Sequence, residues 1–123
     1  MTGREPMWQP GAGVHLLDEV SRGDLDSLVA WWRGHGWTVR LLEGGRDLDE
    51  VVVEVGRVWD FPDYYGANLD ALADCLADLP GPSALVWTGW QDLSRRCPQD
   101  WADLIGVFTE RAGLPPAFAV WLA

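Results

Sequence analysis

The side chains best placed to do chemistry lie close together in the middle of the chain: Tyr64, Asp70, Asp74 and Asp78. At about 100° per helical residue, Asp70, Asp74 and Asp78 fall on one face at successive i, i+4 steps. Leu69, Leu72, Leu76 and Leu79 fall on the opposite face. Such a row of carboxylates is unfavourable in itself, because like charges at i, i+4 destabilise a helix by roughly 0.2–0.5 kcal/mol per pair. Only Asp70, near the helix start, gains from the macrodipole. No basic residue occurs between Arg57 and Arg95 to neutralise the row, whereas Asp60, Asp63 and Asp92 also fall in that interval. A solvated acidic face would explain the row without any function. The preceding loop weighs against that: Tyr64 and Tyr65, between Pro62 and Gly66, form an aromatic shoulder beside the helix. Tyrosine buries a large area with few rotors, as interfaces prefer. Carboxylates beside tyrosines suit a cleft that normally holds phosphates flanked by stacked bases.

Other chemistry is poorly supported. Paired carboxylates perform acid–base work inside a pocket, and an open helix face offers none. His15 falls in a short strand and His35 in a Gly-His-Gly turn, neither with a partner visible in sequence. No serine or cysteine sits in a nucleophile motif, and no CxxC, His–Cys cluster or metal-ligand spacing occurs. The expectation is therefore a binding protein, not an enzyme, with no cofactor and no metal.

The elements that must position these groups can be read along the chain. Residues 1–12 carry Pro6, Pro10 and Gly11 without periodicity, and Val14–Leu17 reads as a short strand. Asp24 is an N-cap candidate for a helix whose Leu25, Leu28, Val29 and Trp32 share a face, ended by Gly34 and Gly36. Trp37–Leu42 reads as a strand. The run Val51-Val52-Val53 favours a strand by propensity, but Leu48, Val51, Val52, Val55, Val58 and Trp59 fall on one helical face. Asp47 and Glu50 supply a capping box, so a helix is predicted. The acidic helix runs from about Asn68 to Leu79 and stops at Pro80-Gly81-Pro82. Ala84–Thr88 is a strand, and residues 89–98 read as a loop with room for a helical turn. Trp101, Leu104, Ile105 and Phe108 mark a helix ended by Gly113 and Pro115, and Phe118–Leu122 is a last buried strand. Of the nine tryptophans, Trp32, Trp59, Trp101 and Trp121 are expected in the core, while Trp8 and Trp90 fall in loops that could leave them exposed. Strands alternating with helices imply an α/β fold, a small parallel sheet covered by helices.

Composition narrows the partner. The 123 residues suffice for one domain with a real core. Nineteen acidic against nine basic residues give a formal charge of −10. That field repels nucleic acid and anionic membrane and suits a basic protein partner. All nine basic residues are Arg, which points to GC-rich codons and a bacterial source. Two cysteines do not make a secreted disulfide framework. No signal region or membrane-length apolar run appears, so a cytoplasmic location is expected.

The stretch Pro62-Asp-Tyr-Tyr-Gly-Ala-Asn-Leu-Asp-Ala-Leu-Ala-Asp-Cys-Leu76 resembles the barstar family, the intracellular inhibitors of barnase-type ribonucleases. It follows the family pattern P-x-Y-Y-G-x-N-L-D-A-L-x-D-C-L almost without a break. A looser fit extends from Thr38 to Leu122, so residues 38–123 are expected to form a barstar-like domain. Residues 1–37 are expected as an N-terminal extension, with an extra strand and helix packed on it. The resemblance implies that Tyr64 packs against the catalytic histidine of the nuclease. It implies that Asp74 enters the phosphate site and meets its arginines. Asp70 would lie on the guanine-recognition side, with Asn68 and Gly66 shaping the approach, and Glu110 would join Asp70 in pairing with arginine. Cys75 matches a helix cysteine without a required role. The family's type member has tryptophan where this chain has Ala73, and Gly-Trp where it has Asp78-Leu79, so two aromatic contacts are missing. The expected protein is a free monomer that binds a small basic ribonuclease 1:1. The alternative is an immunity or regulatory protein that uses the same scaffold for a different basic partner.

Overall fold

The computed structural model describes residues 12–62, 66 and 68–123. Its elements run β1 (Gly13–Leu16), α1 (Glu19–Gly23), α2 (Leu25–Gly34), β2 (Thr38–Glu43), α3 (Leu48–Val58), α4 (Leu69–Ala77), β3 (Ser83–Thr88), α5 (Gln91–Arg96), α6 (Pro98–Ala112) and β4 (Phe118–Leu122). The four strands form one sheet in the order β1-β4-β3-β2. Every pairing is parallel, with Ser83 level with both Thr38 and Phe118, and Val14 level with Val120. The expected α/β class is what the chain adopts.

Strand alternation assigns side chains to two cores. From β3 and β4, Leu85, Trp87, Phe118, Val120 and Leu122 face one side, where they meet Val51, Val52 and Val55 of α3, Leu72 and Leu76 of α4, Leu93 of α5, and Leu104 and Phe108 of α6. Ala84, Val86, Ala119 and Trp121 face the other side, with Val39 of β2, and meet Leu28, Val29 and Trp32 of α2. The sheet is thus covered on both faces, as an all-parallel sheet requires. The central strands β3 and β4 are apolar runs buried almost throughout.

Local signals act as predicted at α3. Val51, Val52 and Val55 are buried while Val53 is 53% exposed, so burial follows the helical period and not strand alternation. The Asp47 side chain accepts from the Glu50 backbone N–H at 2.9 Å, closing the start of the helix. Two expectations need correction. Residues 91–96 form the distinct helix α5, whose Leu93 is wholly buried. Trp90 is not an exposed loop residue: it is half-buried and stacks on Trp101 with ring centroids 5.3 Å apart. The carboxyl ends of β2 and β3 are drawn together by glycine. Gly89 adopts φ 76° and lies so close to Gly44 that a Cβ would stand 3.1 Å from its Cα. The Trp87 indole N–H then donates to the Gly44 carbonyl at 2.7 Å.

Candidate functional site

α4 is nine residues long, and its sidedness follows from where its leucines go. Leu72, Cys75 and Leu76 are buried, and Leu79, just past the helix, is buried with them. The exposed residues are Asp70, Ala73, Asp74, Ala77 and Asp78, a stripe at i, i+3, i+4, i+7 and i+8. Alanines between the aspartates leave the carboxylates standing clear of the surface. Asp78 is not inside the helix but is its C-cap.

The helix start is fixed by Asn68. Its side-chain oxygen accepts from the Ala71 backbone N–H at 2.8 Å, satisfying one of the N–H groups that a helix leaves unpaired. Exposed Gly66 sits directly against this cap: a Cβ there would stand 3.3 Å from the Asn68 amide nitrogen. Any side chain at 66 would press on the group that starts α4.

Beneath the acidic stripe lies Cys75. Burial pushes its thiol above its ordinary value, and the Asp78 and Asp74 carboxylates push it further in the same direction. Cys75 and Cys97 are both free thiols.

The far end of α4 is tied to α6. The Arg111 Nε donates to the Leu76 carbonyl at 2.7 Å, and its Nη1 donates to the Leu114 and Pro116 carbonyls at 2.8 and 2.9 Å. Arg111 is only 4% exposed, with burial lowering its pKa, and its guanidinium carbon lies 5.4 Å from the centre of the Phe118 ring. Glu110 precedes it in the chain and is exposed. Glu110 therefore stands beside the residue that joins α6 to the last turn of the acidic helix.

Gly66, Asn68, Asp70, Ala73, Asp74, Asp78 and Glu110 are thus all exposed, on α4, at its two ends, or on the helix packed against it. Tyr64 lies outside the described residues. Sequence reasoning overlooked Arg111, although a signal was present. Leu104, Phe108 and Arg111 follow one another at i, i+4 and i+7, which places an arginine on an otherwise apolar face. Among the described residues, no group of three or more His, Cys, Asp or Glu side chains is placed to hold a metal ion. A cavity of about 520 Å³ beside α2, lined by Leu25, Asp26, Val29, Ala30, Arg33 and Leu41, contains none of the α4 carboxylates. No described helix is long and apolar enough to cross a membrane.

The segment that holds α4 and Glu110 has relatives among known proteins. Residues 38–117 match the family model for Barstar (barnase inhibitor), so the chain belongs to the barstar family. The match opens on the first residue of β2 and stops one residue short of β4. A Bacillus subtilis (strain 168) protein named "Putative ribonuclease inhibitor YrdF" is 42% identical over 57 residues, covering 44% of this chain and 50% of that protein. The chain thus aligns with about half the length of that relative.

Proposed function

We propose that this protein inhibits a small basic ribonuclease of the barnase-like, guanyl-specific type, by seating α4 and the adjoining tyrosine loop in its active site. It acts in the cytoplasm as a binding protein and not as an enzyme, with one copy occupying one nuclease. The observation that carries this reading is the exposed stripe of Asp70, Asp74 and Asp78 on a helix whose other face is fully committed to the core. A ribonuclease must gather cationic side chains to hold phosphate, and the empty cleft is a pocket of uncompensated positive charge. Carboxylates on a rigid helix fit that field and steer encounter from a distance. At 4 Å and an effective dielectric near 20, one such pair gains about 4 kcal/mol before desolvation is subtracted. Asp74 is assigned the phosphate site, Asp70 with Glu110 the arginines on the guanine side, and Tyr64 the catalytic histidine. These roles rest on the family pattern at matching positions and on the exposure of the three carboxylates.

One observation favours a target other than barnase itself. Ala73 is exposed and small where the type member carries tryptophan, and Leu79 is drawn into the core instead of offering a second aromatic contact. The partner's rim must complement a smaller surface, so a related toxin nuclease is the second reading. Titrating the purified chain against barnase and a panel of other guanyl-specific ribonucleases decides between them. Stoichiometric inhibition at one chain per nuclease is expected for at least one of the panel. Inhibition of none would overturn the proposal.

A further inference from the structure

Among the described residues, Arg111 is the one charged side chain that is buried, and its geometry is not what stability alone would select. Three of its hydrogen bonds reach carbonyls, while Nη2 is buried with no partner among the described residues. Burying a guanidinium without an ion pair and with donors unused is costly, and an apolar side chain of similar length would often serve the fold as well. What Arg111 supplies instead is a connection. Its Nε holds Leu76 in the last full turn of α4, and its Nη1 holds the turn through Leu114 and Pro116 that follows α6. α4 has no basic residue in its own last turn, yet Asp74 and Asp78 stand at that negative end of the macrodipole. The cation that this end needs arrives from the neighbouring helix.

We infer that Arg111 is the positioning residue of the acidic helix: it fixes the last turn of α4, and so sets Asp74 and Asp78 in place relative to Glu110. The inference rests on the reading of α4 as the inhibitory element. Arg111 touches no partner in this scheme; it acts through the backbone that carries the carboxylates. A lysine at 111 keeps the charge and can reach one carbonyl, but it cannot fork to three.

The chain carries its own reporters, Cys75 in α4 and Cys97 at the start of α6. The full-length protein and its Arg111→Lys and Arg111→Met variants are treated with an aromatic disulfide reagent at neutral pH, and the two thiols are followed separately. In Arg111→Lys, Cys75 is expected to react about tenfold faster while Cys97 is unchanged, because local opening exposes only the loosened element. Equal acceleration of both thiols would make Arg111 a general support of the fold and overturn the inference. So would an unchanged Cys75 rate in either variant that remains folded. Against the ribonuclease inhibited by wild type, Arg111→Lys preserves net charge and hence association rate, while dissociation is expected to quicken about tenfold. A dissociation rate equal to wild type would show that the carboxylates do not depend on this anchor, which also overturns it. Failure of the wild-type chain to bind any ribonuclease would remove the functional reading instead, and the thiol comparison would still decide whether Arg111 holds α4.

Discussion

Asp74 and Asn68 sit six positions apart, and they act on binding in different ways. Truncating a charge that is paired and desolvated in a complex leaves its partner buried and unpaired, which costs about 2–5 kcal/mol. Asp74→Ala is therefore expected to weaken inhibition most, by an amount of that order, with Tyr64→Ala and Asp70→Ala behind it. Inhibition titrations of the three variants check the order, and wild-type potency in Asp74→Ala would take Asp74 out of the interface. Asn68 serves the helix: with its oxygen on the Ala71 N–H at 2.8 Å, Asn68→Ala should destabilise the free protein by about 1 kcal/mol. Urea unfolding measures that loss, and a midpoint equal to wild type would contradict the cap. Much of this was legible in the residues. A leucine face opposite an aspartate face left little choice about which side would meet solvent, and asparagine ahead of a helical run is a cap signal. Arg111 was harder to read, because an arginine on an apolar face gains meaning only from the carbonyls it reaches, and those belong to residues as far as 35 positions away.

At the level of elements, α4 combines a strong start with an end that has no basic residue of its own, and Cys75 lies near that end. The folded protein holds the Cys75 thiol above its ordinary value of 9.0, by burial first and then by Asp78 and Asp74, so folding favours the protonated thiol. That contribution is complete below about pH 9 and is lost as pH rises through the folded-state value. Unfolding free energy is expected to fall more steeply above about pH 9 in wild type than in Cys75→Ala, and parallel curves would contradict the shift. Most elements were readable because each carries its own periodicity, and α3 shows period prevailing over the β-propensity of its valines. α5 was missed for the converse reason. A six-residue helix is too short to stand on local preference. It exists because Leu93 is buried and because Trp90, its first flanking residue, packs on Trp101. Those contacts are tertiary, and no window along the chain displays them.

Across the whole molecule, charge and sheet order govern behaviour. With a formal charge of −10, association with a cationic nuclease should approach ~10⁸–10⁹ M⁻¹s⁻¹ at low salt and fall towards ~10⁵–10⁶ M⁻¹s⁻¹ when screened. Stopped-flow rates across an ionic-strength series test this, and a flat series would remove long-range steering. The alternation of elements implied parallel strands but not their order, since pairing partners are chosen by global packing. That order makes α2 the cover of the second sheet face, where it lies over Val39, Val86, Ala119 and Trp121. Deleting residues 1–36 is expected to lower the melting temperature and increase dye binding to exposed apolar surface, and an unchanged melt would mean that α2 is dispensable. The pairing of β1 with β4 also bears on biosynthesis. β1 leaves the ribosome well before its neighbour in the sheet, which lies about a hundred residues downstream. At roughly 5–20 residues per second, the nascent chain holds that strand unzipped for seconds. The protein therefore closes its sheet late, after β4 has been synthesised.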